Sequence, residues 1–257
     1  MILLLICVVA FLASGLTFFS GFGLGTLLLP AFALFFPIEQ AVALTGVVHL
    51  LNGLFKLGLV GASADNGVVL RFGVPALAAA FVGALVLAQL ADVPPLAAYV
   101  LGGRVFVVTP AKVAIGALLL VFAGLEFSAR FRQLAFPPRV LPLGGVLSGF
   151  FGGLAGMQGA LRSAFLVRAG LTKEAFIGTG VAIAVLIDLS RLGVYATQFG
   201  REAHELDYVL LGGAVLSAFA GAWLGNRFLK KLTMDHVQRL VAVLLFAVGL
   251  GLVFGLV

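Results

Sequence analysis

No charged side chain occurs before Glu39. At ~1.5 Å per residue, a helix running through residues 1–38 would far exceed the ~30 Å thickness of a hydrocarbon layer, so this stretch cannot be one straight span. It carries a glycine cluster, Ser20, Gly21, Phe22, Gly23, Leu24, Gly25 and Thr26. A second apolar segment, 140–167, is broken by Gly152, Gly153, Leu154, Ala155, Gly156, Met157, Gln158 and Gly159. Six uninterrupted apolar runs lie near 40–60, 72–91, 108–127, 174–199, 208–226 and 237–257, each the length of a membrane span. With 62% apolar and 10% charged residues, against roughly 45–50% and 25% in soluble domains, the chain reads as an all-α polytopic membrane protein. The first run lacks a basic segment before it and is expected to remain in the mature protein. Cys7 is the single cysteine, which excludes an intrachain disulfide and a cysteine metal cage. The net charge of +6 does not point to nucleic acid, because the basic residues sit at the ends of apolar runs, where they set membrane orientation.

The two broken segments open two halves of an internal repeat. A shift of 134 places Ser14 and Gly15 on Ser148 and Gly149, Gly25 on Gly159, Ala41 on Ala175, and Thr45-Gly46-Val47 on Thr179-Gly180-Val181. One inserted residue later, Leu51, Leu54, Lys56, Leu57 and Gly58 fall on Leu186, Leu189, Arg191, Leu192 and Gly193. The expected organisation is one membrane domain with an N-terminal half at 1–127, a basic connecting loop at 128–139 and a C-terminal half at 140–257. Duplicated halves with glycine-interrupted segments at corresponding positions point to a transporter binding site.

Charge placement separates two topologies. If both broken segments are single spans, eight basic residues face one side and five the other. If each returns as a hairpin of two half-helices, Arg71, Arg130, Arg132, Arg139, Arg168, Lys173, Arg227, Lys230, Lys231 and Arg239 share one side, leaving Arg104, Lys112 and Arg201 on the other. The second distribution obeys the positive-inside rule better. It makes the halves inverted, each a glycine-broken hairpin plus three transmembrane helices, with both termini on the non-cytoplasmic side.

A glycine break at membrane depth is tolerated only where protein or a watery cavity satisfies the backbone. The half-helices that follow, from Thr26 and Gln158, would turn their N-terminal N–H groups toward the interior, an anion-binding geometry; the alternative is close helix packing through small residues. Three bases fall inside apolar runs: Lys56, Arg162 and Arg191. His49, Asn52 and Lys56 are spaced i, i+3, i+7, as are Asp188, Arg191 and Tyr195, so each trio lines one helix face. Thr45 and Thr179 precede them. The candidate substrate-binding set is Ser20, Gly23, Gly25, Thr26, Thr45, His49, Asn52, Lys56, Gly156, Gln158, Gly159, Arg162, Thr179, Asp188 and Arg191. Lys56 has the alternative of snorkelling to the interface, and Arg191 of structural neutralisation by Asp188. Arg162 has no local carboxylate, which favours a ligand. His49 reads as a proton site or a packing histidine.

Enzyme readings find no support. His204-Glu205 lacks the second histidine of a metal site, Ser148 has no G-x-S-x-G frame, and no Walker pattern occurs, so neither cofactor nor metal is expected. The segments Ser20–Pro30, Ser148–Gly159 and Gly170–Thr179 resemble the sulfite exporter TauE/SafE family, over nearly the whole chain and with the same duplicated plan. The resemblance implies secondary transport of sulfite, thiosulfate, a sulfonate or another organic anion across the cytoplasmic membrane. Met157, Gln158 and Arg162 stand where many members are apolar and glycine-rich, and Asp188 where an uncharged polar residue is more usual, so the identity of the anion does not carry over. The expected partners are a small anion and the lipid bilayer; a coupling proton or sodium ion and a homo-oligomer stay open. The rival readings are a membrane scaffold or assembly factor, whose buried charges only lock helices together, and a passive anion channel.

Overall fold

The computed structural model describes residues 1–16, 24–128, 134–198, 207–228 and 235–257. Apolar runs become helices because a helix satisfies every backbone N–H and C=O within its own segment, which hydrocarbon demands. The first five are α1 (Ile2–Leu16), α2 (Leu24–Ala33), α3 (Ile38–Val60), α4 (Asn66–Ala91) and α5 (Pro110–Phe127). The remainder are α6 (Leu141–Ala155), α7 (Gly159–Leu166), α8 (Lys173–Gln198), α9 (Tyr208–Phe228) and α10 (Asp235–Val253). Of these, α3, α4, α5, α8 and α9 are long and apolar enough to cross a membrane, and the chain is a multi-pass membrane protein. The sixth expected run is also helical, but its first turns are polar and its apolar part is Val241–Val253.

Two local features depart from the expected runs. The helix expected from 72 begins at Asn66, capped by Asp65, whose side chain accepts from the Val68 N–H, and it passes through a π turn at Val69–Gly73 just before Pro75. Between α4 and α5 stands an antiparallel hairpin, β1 (Ala97–Leu101) and β2 (Arg104–Val108). Its Gly102 and Gly103 have φ of +58° and +79°, the left-handed pair that a two-residue hairpin loop requires. Tyr99 stacks on Phe106 and donates a 2.6 Å hydrogen bond to the Phe254 carbonyl, which holds the hairpin to the end of α10.

Small residues set the closest helix pairs. On α6, Gly145, Gly149 and Gly153 recur every fourth residue, and a Cβ at any of them would overlap the backbone carbonyl of Phe72, Ala76 or Ala80 on α4. On α9, Gly221 and Gly225 meet the backbone of Phe11 and Gly15 of α1 in the same manner, and Gly213 meets the side chains of Cys7 and Leu3. Without a hydrophobic drive between helices in lipid, such backbone-on-backbone approach supplies the packing attraction.

The same contacts give helix directions. Residue numbers rise together along α4–α6 and α1–α9, so both pairs are parallel. Gly73 lies against Ile183 and Leu186, and Ser190 donates to the Leu77 carbonyl, so α8 also runs parallel to α4. With α6 and α8 pointing the same way, α7 between them turns back toward the side from which α6 entered. In α2, Gly25 lies beside Thr45 and His49 while its last turn leads into Ile38, so α2 runs back along α3. The central pair α3–α8 is antiparallel, with Gly46 against Arg191, Gly53 against Val185 and Val60 against Gly178. So is α5–α10, where Gly116 meets Gly249 and Leu252 while Gly249 meets Leu119 and Leu120.

Candidate functional site

Along α3, Thr45, His49, Asn52 and Lys56 fall on one face and are all buried. Gly46 and Gly53 on the adjoining face let α8 approach closely, and there Asp188, Arg191 and Tyr195 are buried in turn. The two stripes meet because helical periodicity keeps each polar side chain on the seam between these helices.

The second glycine break completes the site. α6 ends at Gly156, whose φ of +73° is the left-handed conformation of a helix C-cap; its N–H donates to Gly152 and that of Met157 to Phe151. Three residues later, at Gly159, α7 starts. The helix end leaves carbonyls without partners inside the ladder; Tyr195 donates its hydroxyl to the Gly153 carbonyl. The Ser148 hydroxyl donates to the Gln158 carbonyl at 3.0 Å, which fastens the break back onto α6.

Asp188 is the hub. Its Oδ2 lies 2.5 Å from His49 Nδ1, and its Oδ1 accepts from Arg191 Nε at 2.9 Å and from Gln158 Nε2 at 3.4 Å. Arg162 Nη1 donates to Gln158 Oε1 at 2.9 Å. A carboxylate with no solvent exposure needs such partners, since an unpaired buried charge costs several kcal/mol. Spacing pairs Arg191 with Asp188 and sets Gln158 one turn before Arg162, with no carboxylate nearby in sequence; in the fold Gln158 joins Arg162 to Asp188.

Not every donor is used. Arg191 Nη1 and Nη2 and Thr45 Oγ1 are buried and make no hydrogen bond, although Nη2 lies 2.8 Å from Asp188 Oδ1 without hydrogen-bond geometry. Leaving such groups unmet in a protein interior costs about 1–3 kcal/mol each. Arg191 and Thr45 border the point where Gly25 and Gly156 approach each other. A Cβ at Gly156 would lie 2.8 Å from Arg191 Nη1, and one at Gly25 would lie 3.1 Å from the Gly156 carbonyl and 3.6 Å from Thr45 Cγ2. Larger residues at either glycine would fill this meeting point. Three buried bases, Lys56, Arg162 and Arg191, against Asp188 leave the surroundings positive.

The remaining candidates divide. Gly25, Thr26, Gly156, Gln158 and Gly159 are buried around the breaks. Lys56 and Asn52 form a second polar group at the end of α1: Lys56 Nζ donates to the Ser14 carbonyl at 3.4 Å and Ser14 Oγ donates to Asn52 Oδ1 at 3.1 Å. Thr179 stands apart, its Oγ1 accepting from the Asp65 N–H at 2.9 Å in the turn into α4. Ser20 and Gly23 lie outside the described residues. Glu126, buried in the last turn of α5, is a second intramembrane carboxylate that the sequence reading missed, because it sits at the end of an apolar run where a charge is ordinarily solvated. Tyr195 and Ser148 gain their fastening roles only from the fold.

A protein-family model described as sulfite exporter TauE/SafE matches residues 6–252. No curated protein matches the chain.

Proposed function

The chain belongs to the sulfite exporter TauE/SafE family, and from that premise we propose that it is a secondary transporter that carries a small sulfur-containing or organic anion, such as sulfite, thiosulfate or a sulfonate, across the cytoplasmic membrane by alternating access. The observation that carries this reading is a set of buried donors without a hydrogen bond, the terminal Nη groups of Arg191 and the Thr45 hydroxyl, on residues that border the close approach of Gly25 and Gly156. An oxyanion there accepts from both, and its charge is offset by the excess of bases over Asp188. Gln158 holds Arg162 beside the second break, and the absence of side chains at Gly25 and Gly156 lets their backbones approach Thr45 and Arg191. Lys56, an electrostatic neighbour of Arg162, and Asn52 line the approach from the end of α1.

The helix directions support halves of inverted topology. Helices that correspond under the repeat, α3 with α8 and α5 with α10, run antiparallel, and each broken segment turns back. The loop between α7 and α8 then lies in the cytoplasm, whereas the β hairpin and both termini lie outside. Single cysteines placed at Gly170 and Gly103 in a Cys7→Ser background test this. An impermeant maleimide added to whole cells is expected to label position 103 and not 170; the reverse result overturns the assignment.

Transport is tested with purified protein in liposomes. Labelled sulfite, thiosulfate or methanesulfonate is expected to exchange against the same unlabelled anion with saturation. Saturable exchange separates a carrier from a passive channel, and its absence for all three anions overturns this reading.

A further inference from the structure

Beyond anion binding, and resting on the transport reading above, the surroundings of His49 point to a second ligand. His49 stands between the anion seat and the carboxylate hub: Nδ1 faces Asp188 at 2.5 Å, while the Cδ2 edge of the ring lies beside Gly25 at the first glycine break, 3.8 Å from where a Cβ would be. Thr45, one turn earlier on α3, flanks the same glycine. We propose that the His49–Asp188 pair is the proton site of a proton-coupled anion carrier, in which a proton on His49 and an anion on Arg191 and Thr45 bind together and cross together.

In the neutral ring, Nδ1–H donates to Asp188 and Nε2 keeps a lone pair. Nε2 makes no hydrogen bond among the described residues, so a proton adds there without breaking an existing contact, and imidazole becomes imidazolium with nothing oxidised or reduced. Asp188 does not take this proton, because its Oδ1 already accepts from Arg191 and Gln158 and its Oδ2 faces Nδ1. The new charge forms beside the seat of the anion. An anion at Arg191 therefore favours the imidazolium, and the imidazolium favours the anion, which is positive linkage between two ligands.

The charged groups around His49 fit this assignment. On α3 itself the nearest charge is Lys56, two turns on and bonded to the end of α1. α8 contributes Asp188 and Arg191, and α7 contributes Arg162 through Gln158. α2 has no titratable side chain. On α9 the described titratable groups, Tyr208 and Arg227, are at its ends, and on α5 the buried group is Glu126 in its last turn. With Asp188 held by Arg191, the lone pair of His49 Nε2 is the position in this cluster that takes a proton without loss of a contact.

The test uses full-length protein in liposomes with a lumenal pH dye, the membrane potential clamped by potassium and valinomycin. Thiosulfate and methanesulfonate serve as probes, since neither titrates near neutrality and any proton that moves must travel on the protein. Downhill entry of either anion is expected to carry protons inward, about one per anion for a single histidine site, and His49→Gln is expected to reduce that ratio at least tenfold whatever its absolute rate. If His49→Gln does not fold, His49→Asn gives the same readout, and the wild-type ratio stands by itself. Anion exchange without proton movement in the wild type, or an unchanged ratio in the variant, overturns the proton site and leaves the anion carrier standing. Absence of exchange for both probes and for sulfite overturns both readings.

Discussion

Thr45 and Lys56 of α3 fall on Thr179 and Arg191 of α8 when the sequence is shifted onto itself, yet the two polar stripes are used differently. On α8 the carboxylate and guanidinium of Asp188 and Arg191 lie one turn apart and meet each other as well as His49 and Gln158. On α3 the corresponding base, Lys56, lies near the helix end and reaches the Ser14 carbonyl. The threonines differ in the opposite sense: Thr179 spends its hydroxyl on the Asp65 amide, whereas Thr45 keeps its hydroxyl free of any hydrogen bond. A shared residue pattern thus places like side chains on both helices, and the cross-helix partners decide which become fastenings and which stay available to a ligand.

Five substitutions test this difference. The largest effect is expected at the frame shared by both halves: Gly153→Val drives a side chain into the Ala80 carbonyl, overpacking that costs about 3 kcal/mol or more, and is expected to abolish recovery of monodisperse protein in detergent. Next comes Arg191→Ala, which leaves Asp188 buried without its guanidinium. Breaking such a pair costs about 3–5 kcal/mol, so both the melting temperature and anion exchange should fall. Lys56→Ala, which removes a longer contact to one carbonyl, should lower exchange with a smaller thermal shift; equal losses for the two would erase the contrast between the stripes. Thr179→Val deletes a bonded hydroxyl and should lower stability by about 1 kcal/mol. Thr45→Val deletes an unmet one and should raise the half-saturation concentration of the anion while leaving the melting temperature equal or higher. If Thr45→Val destabilises the protein as much as Thr179→Val does, the hydroxyl has a structural partner and the proposed seat is wrong.

The helices were legible because hydrocarbon imposes one rule on backbone and composition alike, and the two glycine clusters were legible as breaks. The directions of α3 and α8 were accessible only through charge bias, since periodicity carries no sign. Within the site, contacts one turn apart such as Asp188–Arg191 and Gln158–Arg162 could be read from spacing. Those joining distant segments, His49 to Asp188 and Tyr195 to Gly153, depend on which faces the fold brings together. The β hairpin left a signal between the runs 72–91 and 108–127: Gly102-Gly103 between Val100 and Val105 is a two-residue turn in an alternating frame. Among the glycines, spacing did not separate packing from breaking. Gly145, Gly149 and Gly153 serve the first, and Gly156, one residue off that four-residue rhythm, serves the second.

The pairing of α1 with α9 also has a consequence during synthesis. α1 ends at Leu16 and its closest partner begins at Tyr208, so at translation rates of about 5–20 residues per second the first helix waits on the order of ten to forty seconds before its glycine-lined groove emerges. Throughout that interval the nascent segment has lipid, translocon or its own half for company. An opening stretch that carries no charge before Glu39 is one that can wait there, because no ion has to be held in hydrocarbon until the second half arrives.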